Sequence, residues 1–179
     1  RIEAIAGLVA AEQAQADSGR IAAMAKSLNS PIAELEKKID QAVEQSKKLE
    51  KQLNIIQRRR AAETARNLTA KAEAAGDIPF ISANLGAADG NFAQAVVDAL
   101  KGEFEGVVVL GAVENGSVAL VASVSESLTN RAQAGKIIQT IAPIVGGKGG
   151  GKPTQARGAG RETNKLDEAL AEVQRILAN

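Results

Sequence analysis

A 4-3 alternation of apolar residues between positions 28 and 60 constrains this fold more than any other feature. One seam position holds Leu28, Leu35, Ala42, Leu49 and Ile56, and the other holds Ile32, Ile39, Ser46, Leu53 and Arg60. This spacing puts both sets on one stripe of a helix. Ser30 as N-cap and Pro31 at the first helical position predict its start, and Gly76 and Pro79 predict its end. A helix from about 31 to 74 would be about 65 Å long.

A second helical stretch precedes this one and would break, if anywhere, near Gly19. It is the Ala-rich run LVAAEQAQADSGRIAAMAKSL, and only the short turn LNSP separates it from the heptad helix. A short turn favours an antiparallel, coiled-coil-like helical hairpin over 8–75. Packing inside the hairpin would account for the apolar stripe. Self-association through the stripe is the alternative, with Ala42 and Ser46 as its thin middle.

The apolar period changes after Gly76, where the pattern predicts an α+β globular domain over 76–179. IPFISANL is typical of a strand and NFAQAVVDALKGEF of an amphipathic helix. VVVLGAV-ENGS-VALVASV predicts a central β-hairpin, since Asn115-Gly116 suits a tight turn with positive φ. AGKIIQTIAPIV and LDEALAEVQRIL predict two further helices, the first kinked by Pro143. A glycine-rich loop at 146–151 would lie between them.

The composition excludes several classes of chemistry. The chain has no His and no Cys, which rules out Ser-His-Asp and Cys-His nucleophile systems, His/Cys zinc sites and disulfides. Its only aromatic residues are three Phe, so stacking on unpaired bases is nearly ruled out. The apolar runs are too short for a membrane span. The composition therefore leaves a binding role or a structural role open.

Charge is strongly segregated although the net charge is only +1. Between 77 and 126 there are seven acids and one base, whereas 127–161 contains six bases and no acid. The six bases are Arg131, Lys136, Lys148, Lys152, Arg157 and Arg161. A secondary basic patch on the long helix consists of Lys47, Lys48, Lys51, Arg58 and Arg59, and a solvated helix surface is the favoured explanation of it. The segregation predicts one acidic and one basic face on the globular domain.

The stretch GGKGGGKPTQARGAG at 146–160 is the main candidate for a site. It matches part of a phosphate loop, but Pro153 stands where Ser or Thr would hold Mg²⁺, and a helical pattern precedes it instead of a strand. A flexible linker is one interpretation. The other is an anion-binding nest of backbone N–H groups, flanked by cations. Its candidate residues are Gly146, Gly147, Lys148, Gly149, Gly150, Gly151, Lys152 and Arg157.

IAPIVGGKGGGKPTQARGAG closely resembles the signature of the DHH-associated domain. In DHH-family phosphoesterases the glycine run is typically followed by His, whereas this chain has Lys152 and Pro153 there. The form GGKGGGKP resembles the C-terminal domain of bacterial-type alanyl-tRNA synthetases, and RIEAIAG at 1–7 resembles the tail of their editing domain. Lys152 departs from the Arg usual in that family. Lys keeps the charge but loses the bidentate fork, which implies a less directional phosphate contact.

This resemblance implies a non-catalytic, cytoplasmic module that binds alanine-specific tRNA. It would contact the backbone at the outer corner of the tRNA through the glycine stretch and through Arg131, Lys136 and Arg161. No cofactor is expected in this part, whereas the longer enzyme would use ATP, Mg²⁺ and Zn²⁺. The upstream domains of the same chain are expected partners, and a membrane is not. The alternatives are a structural module that dimerises the synthetase and a substrate-binding domain of a phosphoesterase.

Overall fold

The computed structural model describes residues 6–178, which form two compact units divided between Asn54 and Ile55. The predicted tail of an upstream domain at 1–7 lies almost entirely outside the described residues. No helix in the described part of the chain is long and apolar enough to cross a membrane. The long helix α2, Leu35–Thr69, contributes its first part to one unit and its last part to the other.

The first unit contains helix α1, Leu8–Ser27, and the start of helix α2, Leu35–Thr69. Helix α1 runs through Gly19 without a break. It ends in a Schellman motif, with Asn29 at φ 47 and hydrogen bonds from Asn29 N to Lys26 O and from Ser30 N to Ala25 O. A 3-10 turn at Ile32–Glu34 precedes α2, and its N-cap is Pro31. The prediction of Ser30 as the N-cap was therefore wrong by one residue.

The apolar stripe on the first part of α2 is not covered by α1. Ile32, Ile39, Leu49 and Leu53 are 42–57% exposed. Ala25, in the last turn of α1, is the buried apolar residue of this unit among those described. Coiled-coil packing between the two helices therefore stays a prediction, and within residues 6–178 the stripe is largely exposed.

The second unit is an α+β domain built on a six-stranded mixed sheet, which confirms the predicted fold class. The strands are β1 Glu73–Ala75, β2 Ile78–Ala87, β3 Val107–Glu114, β4 Ser117–Val124, β5 Lys148–Gly151 and β6 Gln155–Gly160. Their order is β1-β2-β3-β4-β6-β5, with β2 and β3 parallel and all other neighbours antiparallel. The helices are α3 Gly90–Leu100, α4 Ala134–Ile141 and α5 Leu166–Ala178. Two short 3-10 turns at Glu126–Leu128 and Thr163–Lys165 complete the unit.

Both faces of the sheet are covered at its centre, as the apolar character of β3 and β4 predicts. Helices α4 and α5 pack on one face, where Val109, Leu120 and Ile138 belong to one core. Helix α3 and the end of α2 pack on the other face, where Leu110, Val97 and Ala65 belong to a second core. Because successive residues of a strand point to opposite faces, β2, β3 and β4 each supply both cores.

Two turns between neighbouring strands contain residues with positive φ. Asn115 and Gly116 have φ of 50 and 75 in the β3–β4 turn, which confirms the predicted hairpin. Gly76, at φ 62, makes a turn between β1 and β2. The prediction that α2 runs to about 74 and stops at Gly76 was wrong, because 73–75 pair with β2 as a strand.

The prediction of a glycine-rich loop at 146–151 was also wrong. Residues 148–151 form β5, which pairs with β6 in an antiparallel hairpin at the edge of the sheet. Helix α4 ends at Ile141, and Pro143 lies in the turn that follows instead of kinking the helix. A strand is possible here because the glycine backbone takes up extended pairing without side chains that would collide with α4.

Candidate functional site

One face of the β5–β6 hairpin is packed against α4, and its glycines leave no room for a side chain. We call it the packed face; it consists of Gly149, Gly151, Ala156, Gly158 and Gly160. A Cβ on Gly149 would lie against Ile138 Cγ2 and 2.5 Å from Gly158 Cα. A Cβ on Gly160 would overlap the carbonyl oxygen of Val145. Glycine on this face is required by close packing of a helix on a strand.

Gly146 and Gly147, which connect α4 to β5, are constrained in the same way. Gly146 has φ 65, and a Cβ there would lie 2.6 Å from Glu162 Oε1. A Cβ on Gly147 would overlap the carbonyl oxygen of Ala159. These glycines have an architectural role, and their predicted part in an anion-binding nest stays a prediction.

The opposite face of the hairpin is open and carries the cations. Lys148 pairs with Ala159 and Gly150 pairs with Arg157, so these four residues point to the same side. Lys152 and Gln155 continue the ladder, with their backbone N–H groups donating to each other's carbonyl oxygen at 2.8 and 3.3 Å. We call this side the open face; its residues are Lys148, Gly150, Lys152, Gln155, Arg157 and Ala159.

The centre of the open face is almost bare backbone. Gly150, which pairs with Arg157, has no side chain. Ala159, two residues after Arg157 on the same strand, adds only a methyl group to this face. A Cβ on Gly150 would meet nothing closer than Nε2 of the flexible Gln139 side chain, at 3.3 Å. Lys148 lies diagonally from Arg157, about 7–8 Å away for such neighbours in a sheet. An anion can therefore reach the strand surface between two or three positive charges.

Arg157 is held in a defined orientation by α3. Its Nε and Nη2 donate to Oε1 of Gln94, at 3.0 and 2.8 Å. Gln94 Nε2 in turn donates to Asp98 Oδ1 at 2.9 Å, and Lys101 Nζ lies 3.1 Å from the same oxygen. Since guanidinium has five N–H donors, Arg157 retains three for a ligand. Sequence reasoning missed Gln94, because nothing local relates it to a residue 63 positions away.

The three cations of the open face are not neutralised by the protein. Within residues 6–178, no carboxylate oxygen lies within 4.0 Å of the charged nitrogens of Lys148, Lys152 or Arg157. The Gln94 carbonyl that orients Arg157 is neutral. The positive charge of this face is therefore available to an external anion.

The remaining predicted cations are spread over other parts of the molecule. Arg131 lies 4.0 Å from Asp77, and both side chains are largely exposed. Lys136 is exposed on α4, the helix that covers the packed face, and Arg161 follows the end of β6. The structure thus unites three of the six bases on one strand surface and leaves the other three outside it.

The secondary basic patch is exposed along α2. Lys47, Lys48 and Lys51 lie in its first part, and Arg58 and Arg59 in the part that belongs to the second unit. Next to them, Arg60 stacks over the ring of Phe92, 5.2 Å from its centroid. Arg60 therefore takes part in packing α2 onto the globular domain.

Acidic side chains collect at a different place from the open cations. Glu103, Glu105 and Glu126 line a cleft of about 650 Å³ at the end of α3, together with Lys101 and Thr154. The described residues contain no group of three or more acids placed to hold a metal ion. On the side of α5, the Glu162 carboxylate raises the pKa of Lys165 through a hydrogen bond and its charge. The cleft borders the open face, because Gln155 lines it as well, whereas Lys165 lies outside that face.

The comparison with protein families decides the family. The family model described as the DHHA1 domain matches residues 77–179, more than half of the chain. The chain belongs to the DHHA1 domain family. The matched part contains the whole β5–β6 hairpin, and the resemblance carried by its glycine motif is thereby confirmed.

Two relatives match nearly the whole of this chain. It is 39% identical over 171 residues to an alanine–tRNA ligase of Acidithiobacillus ferridurans, covering 95% of this chain and 20% of that protein. It is 37% identical over 175 residues to an alanine–tRNA ligase of Burkholderia pseudomallei strain 668, covering 97% of this chain and again 20% of the relative. The chain thus spans about a fifth of the length of these relatives.

A solved structure shares the fold of the DHHA1 part. The crystal structure of the C-Ala domain from Aquifex aeolicus alanyl-tRNA synthetase matches with a TM-score of 0.57 and 22% sequence identity. The match covers 60% of this chain and 98% of the other. At this identity the comparison shows the fold alone.

Proposed function

We propose that this chain is a non-catalytic tRNA-binding module of an alanyl-tRNA synthetase. The open face of the β5–β6 hairpin contacts tRNA backbone at the outer corner of the molecule. The helices before the globular domain serve as a spacer to the rest of the enzyme. In this arrangement the aminoacylation and editing sites can act on one bound tRNA, and ATP, Mg²⁺ and Zn²⁺ serve those upstream sites in the cytoplasm.

One observation carries the proposal. Lys148, Lys152 and Arg157 lie on the same face of one hairpin around the bare backbone of Gly150, and none of the described carboxylates pairs with them. Phosphate is the ligand that fits such an arrangement, because it accepts several charge-assisted hydrogen bonds at once. The similarity to alanine–tRNA ligases supports tRNA as the phosphate-bearing partner.

The chemistry of the face favours recognition of shape over sequence. Cations at fixed spacing read the backbone of a folded RNA, whereas base edges of an A-form helix are hard for side chains to reach. The described open face contains no aromatic side chain on which a splayed base could stack. We therefore expect folded tRNA to bind better than unstructured RNA of the same length.

The test is binding of the 179-residue chain to folded alanine-specific tRNA across a salt series. If about five phosphates are neutralised, log affinity falls with log salt at a slope of about −4. Changing Lys148, Lys152 and Arg157 together to Ala should bring the slope to about −2 and weaken binding at least tenfold. Equal-length single-stranded RNA serves as the control ligand.

A matched control variant separates the site from the net charge. Changing Lys71, Lys165 and Arg175 together to Ala removes the same three charges from the end of α2 and from the side of α5. It should retain most of the affinity. Equal losses in both triple variants, or a salt slope near zero in the parent chain, would contradict the assignment of the open face.

The exposed apolar stripe on the first part of α2 favours a second role, as a structural module that self-associates. Side chains such as Leu49 and Leu53, each 56% exposed, are of the kind that a partner helix covers. Sedimentation across a concentration series measures this. A monomeric mass at all concentrations, with unchanged tRNA binding, would contradict self-association and leave RNA binding as the single role.

A further inference from the structure

The amide of Gln94 lies at the point where α3 meets the open face. Gln94 is 9% exposed, and within the described residues only Ser123 is another polar side chain buried to this degree. Burying an amide without partners is costly, and here both ends of the group are used. Oε1 accepts two hydrogen bonds from Arg157, and Nε2 donates one to Asp98.

The identity of this buried group determines how much charge Arg157 can offer. A carboxylate oxygen at the place of Gln94 Oε1 would accept the same two hydrogen bonds as part of an ion pair and neutralise the guanidinium. The neutral amide oxygen accepts both hydrogen bonds but leaves the full positive charge. The nearest acid of the network, Asp98, contacts the far side of Gln94 and also Lys101, so its charge is shared away from Arg157.

We infer that Gln94 is the positioning residue of the phosphate-binding surface: it orients Arg157 on the open face without neutralising it. This inference rests on the proposed function of that face. Gln94 itself touches no ligand, since it lies beneath the guanidinium and against the sheet. Its effect on binding passes through Arg157.

Two substitutions separate orientation from charge. Gln94→Glu keeps the size and the oxygen that accepts from Arg157, but it neutralises Arg157 and replaces the donor to Asp98 with a second carboxylate oxygen. The magnitude of the salt slope should therefore fall by about one, as in Arg157→Ala. Gln94→Leu removes the anchor and leaves the charge. It should weaken binding of folded alanine-specific tRNA a fewfold with the slope nearly unchanged, because a mobile Arg still neutralises a phosphate.

The experiment is a double-mutant cycle measured in the 179-residue chain with folded alanine-specific tRNA. In the Arg157→Ala background, Gln94→Glu should have almost no further effect, because the two changes remove the same contact. Gln174→Glu, on the exposed surface of α5, makes the same chemical change elsewhere and should leave the affinity within about twofold. Thermal unfolding of each variant checks the fold, and Gln94→Leu decides the cycle if Gln94→Glu does not fold.

The outcomes distinguish this inference from the proposed function. Loss of affinity in Arg157→Ala but not in either Gln94 variant would overturn the inference and leave the open face as the binding surface. An equal loss from Gln94→Glu with and without Arg157 would also overturn it, because it would show a general structural effect. Full affinity in Arg157→Ala would overturn both the positioning role of Gln94 and the assignment of Arg157 to the binding surface.

Discussion

The two faces of the β5–β6 hairpin differ in what their residues are for. On the packed face, four glycines and Ala156 lie under α4, and added atoms would meet backbone or the packed side chains of Ile138 and Val145. On the open face, Gly150 and Ala159 lie between cations, and an added methyl group would meet only a flexible side chain. The same glycine-rich sequence thus serves close packing at one residue and access for a ligand at the next.

The largest effect is expected from placing a charge on the packed face. Ala156 is 3% exposed and belongs to the core under α4. Ala156→Glu would bury a carboxylate without a partner and should lower the free energy of unfolding by more than about 4 kcal/mol. Chemical denaturation measures this, and a stable, folded variant would show that α4 does not seal this face.

The next effect is steric. Gly149→Ala inserts a methyl group between Ile138 and the neighbouring strand, so we expect a loss of about 3 kcal/mol in the free energy of unfolding. For a chain of this size, that corresponds to a melting temperature lower by about 6–12 °C. A melting temperature within about 2 °C of the parent would contradict the packing role.

The same Glu substitution on the open face should affect binding instead of stability. Ala159 is exposed and lies opposite Lys148, so Ala159→Glu would pair with that lysine and repel phosphate. We expect the free energy of unfolding to change by less than about 0.5 kcal/mol. Affinity for folded tRNA should fall about tenfold below that of the parent chain at low salt. The difference between variant and parent should become smaller at higher salt, because salt screens the added charge. Unchanged affinity would place the RNA elsewhere.

The smallest effect is expected one residue from the sensitive Gly149. Gly150→Ala should leave the free energy of unfolding within about 0.5 kcal/mol of the parent, since the Gln139 side chain can move away. Binding of folded tRNA should weaken by about twofold to threefold, because the methyl group lies where phosphate would approach. A loss of stability as large as that of Gly149→Ala would mean that the two faces do not differ.

Much of the architecture follows from local patterns in the sequence. The heptad spacing predicted the long helix, alternating apolar residues with Asn115-Gly116 predicted the β3–β4 hairpin, and LDEALAEVQRIL predicted the final helix. The boundaries were less accurate: α2 ends at Thr69, and 73–75 became a strand, because pairing with β2 outweighed helix propensity.

The sequence by itself determined the helices and the central strands, the absence of His and Cys chemistry, the concentration of bases after residue 127 and the family. Only the tertiary structure decided which glycines pack and which remain open, and which cations share a surface. It placed Gln94 beneath Arg157 and left Arg131 beside Asp77. The physical reason is that strand register and the contact of α4 with β5 depend on residues distant along the chain. A glycine and its neighbour look alike in sequence but point to opposite faces of the sheet.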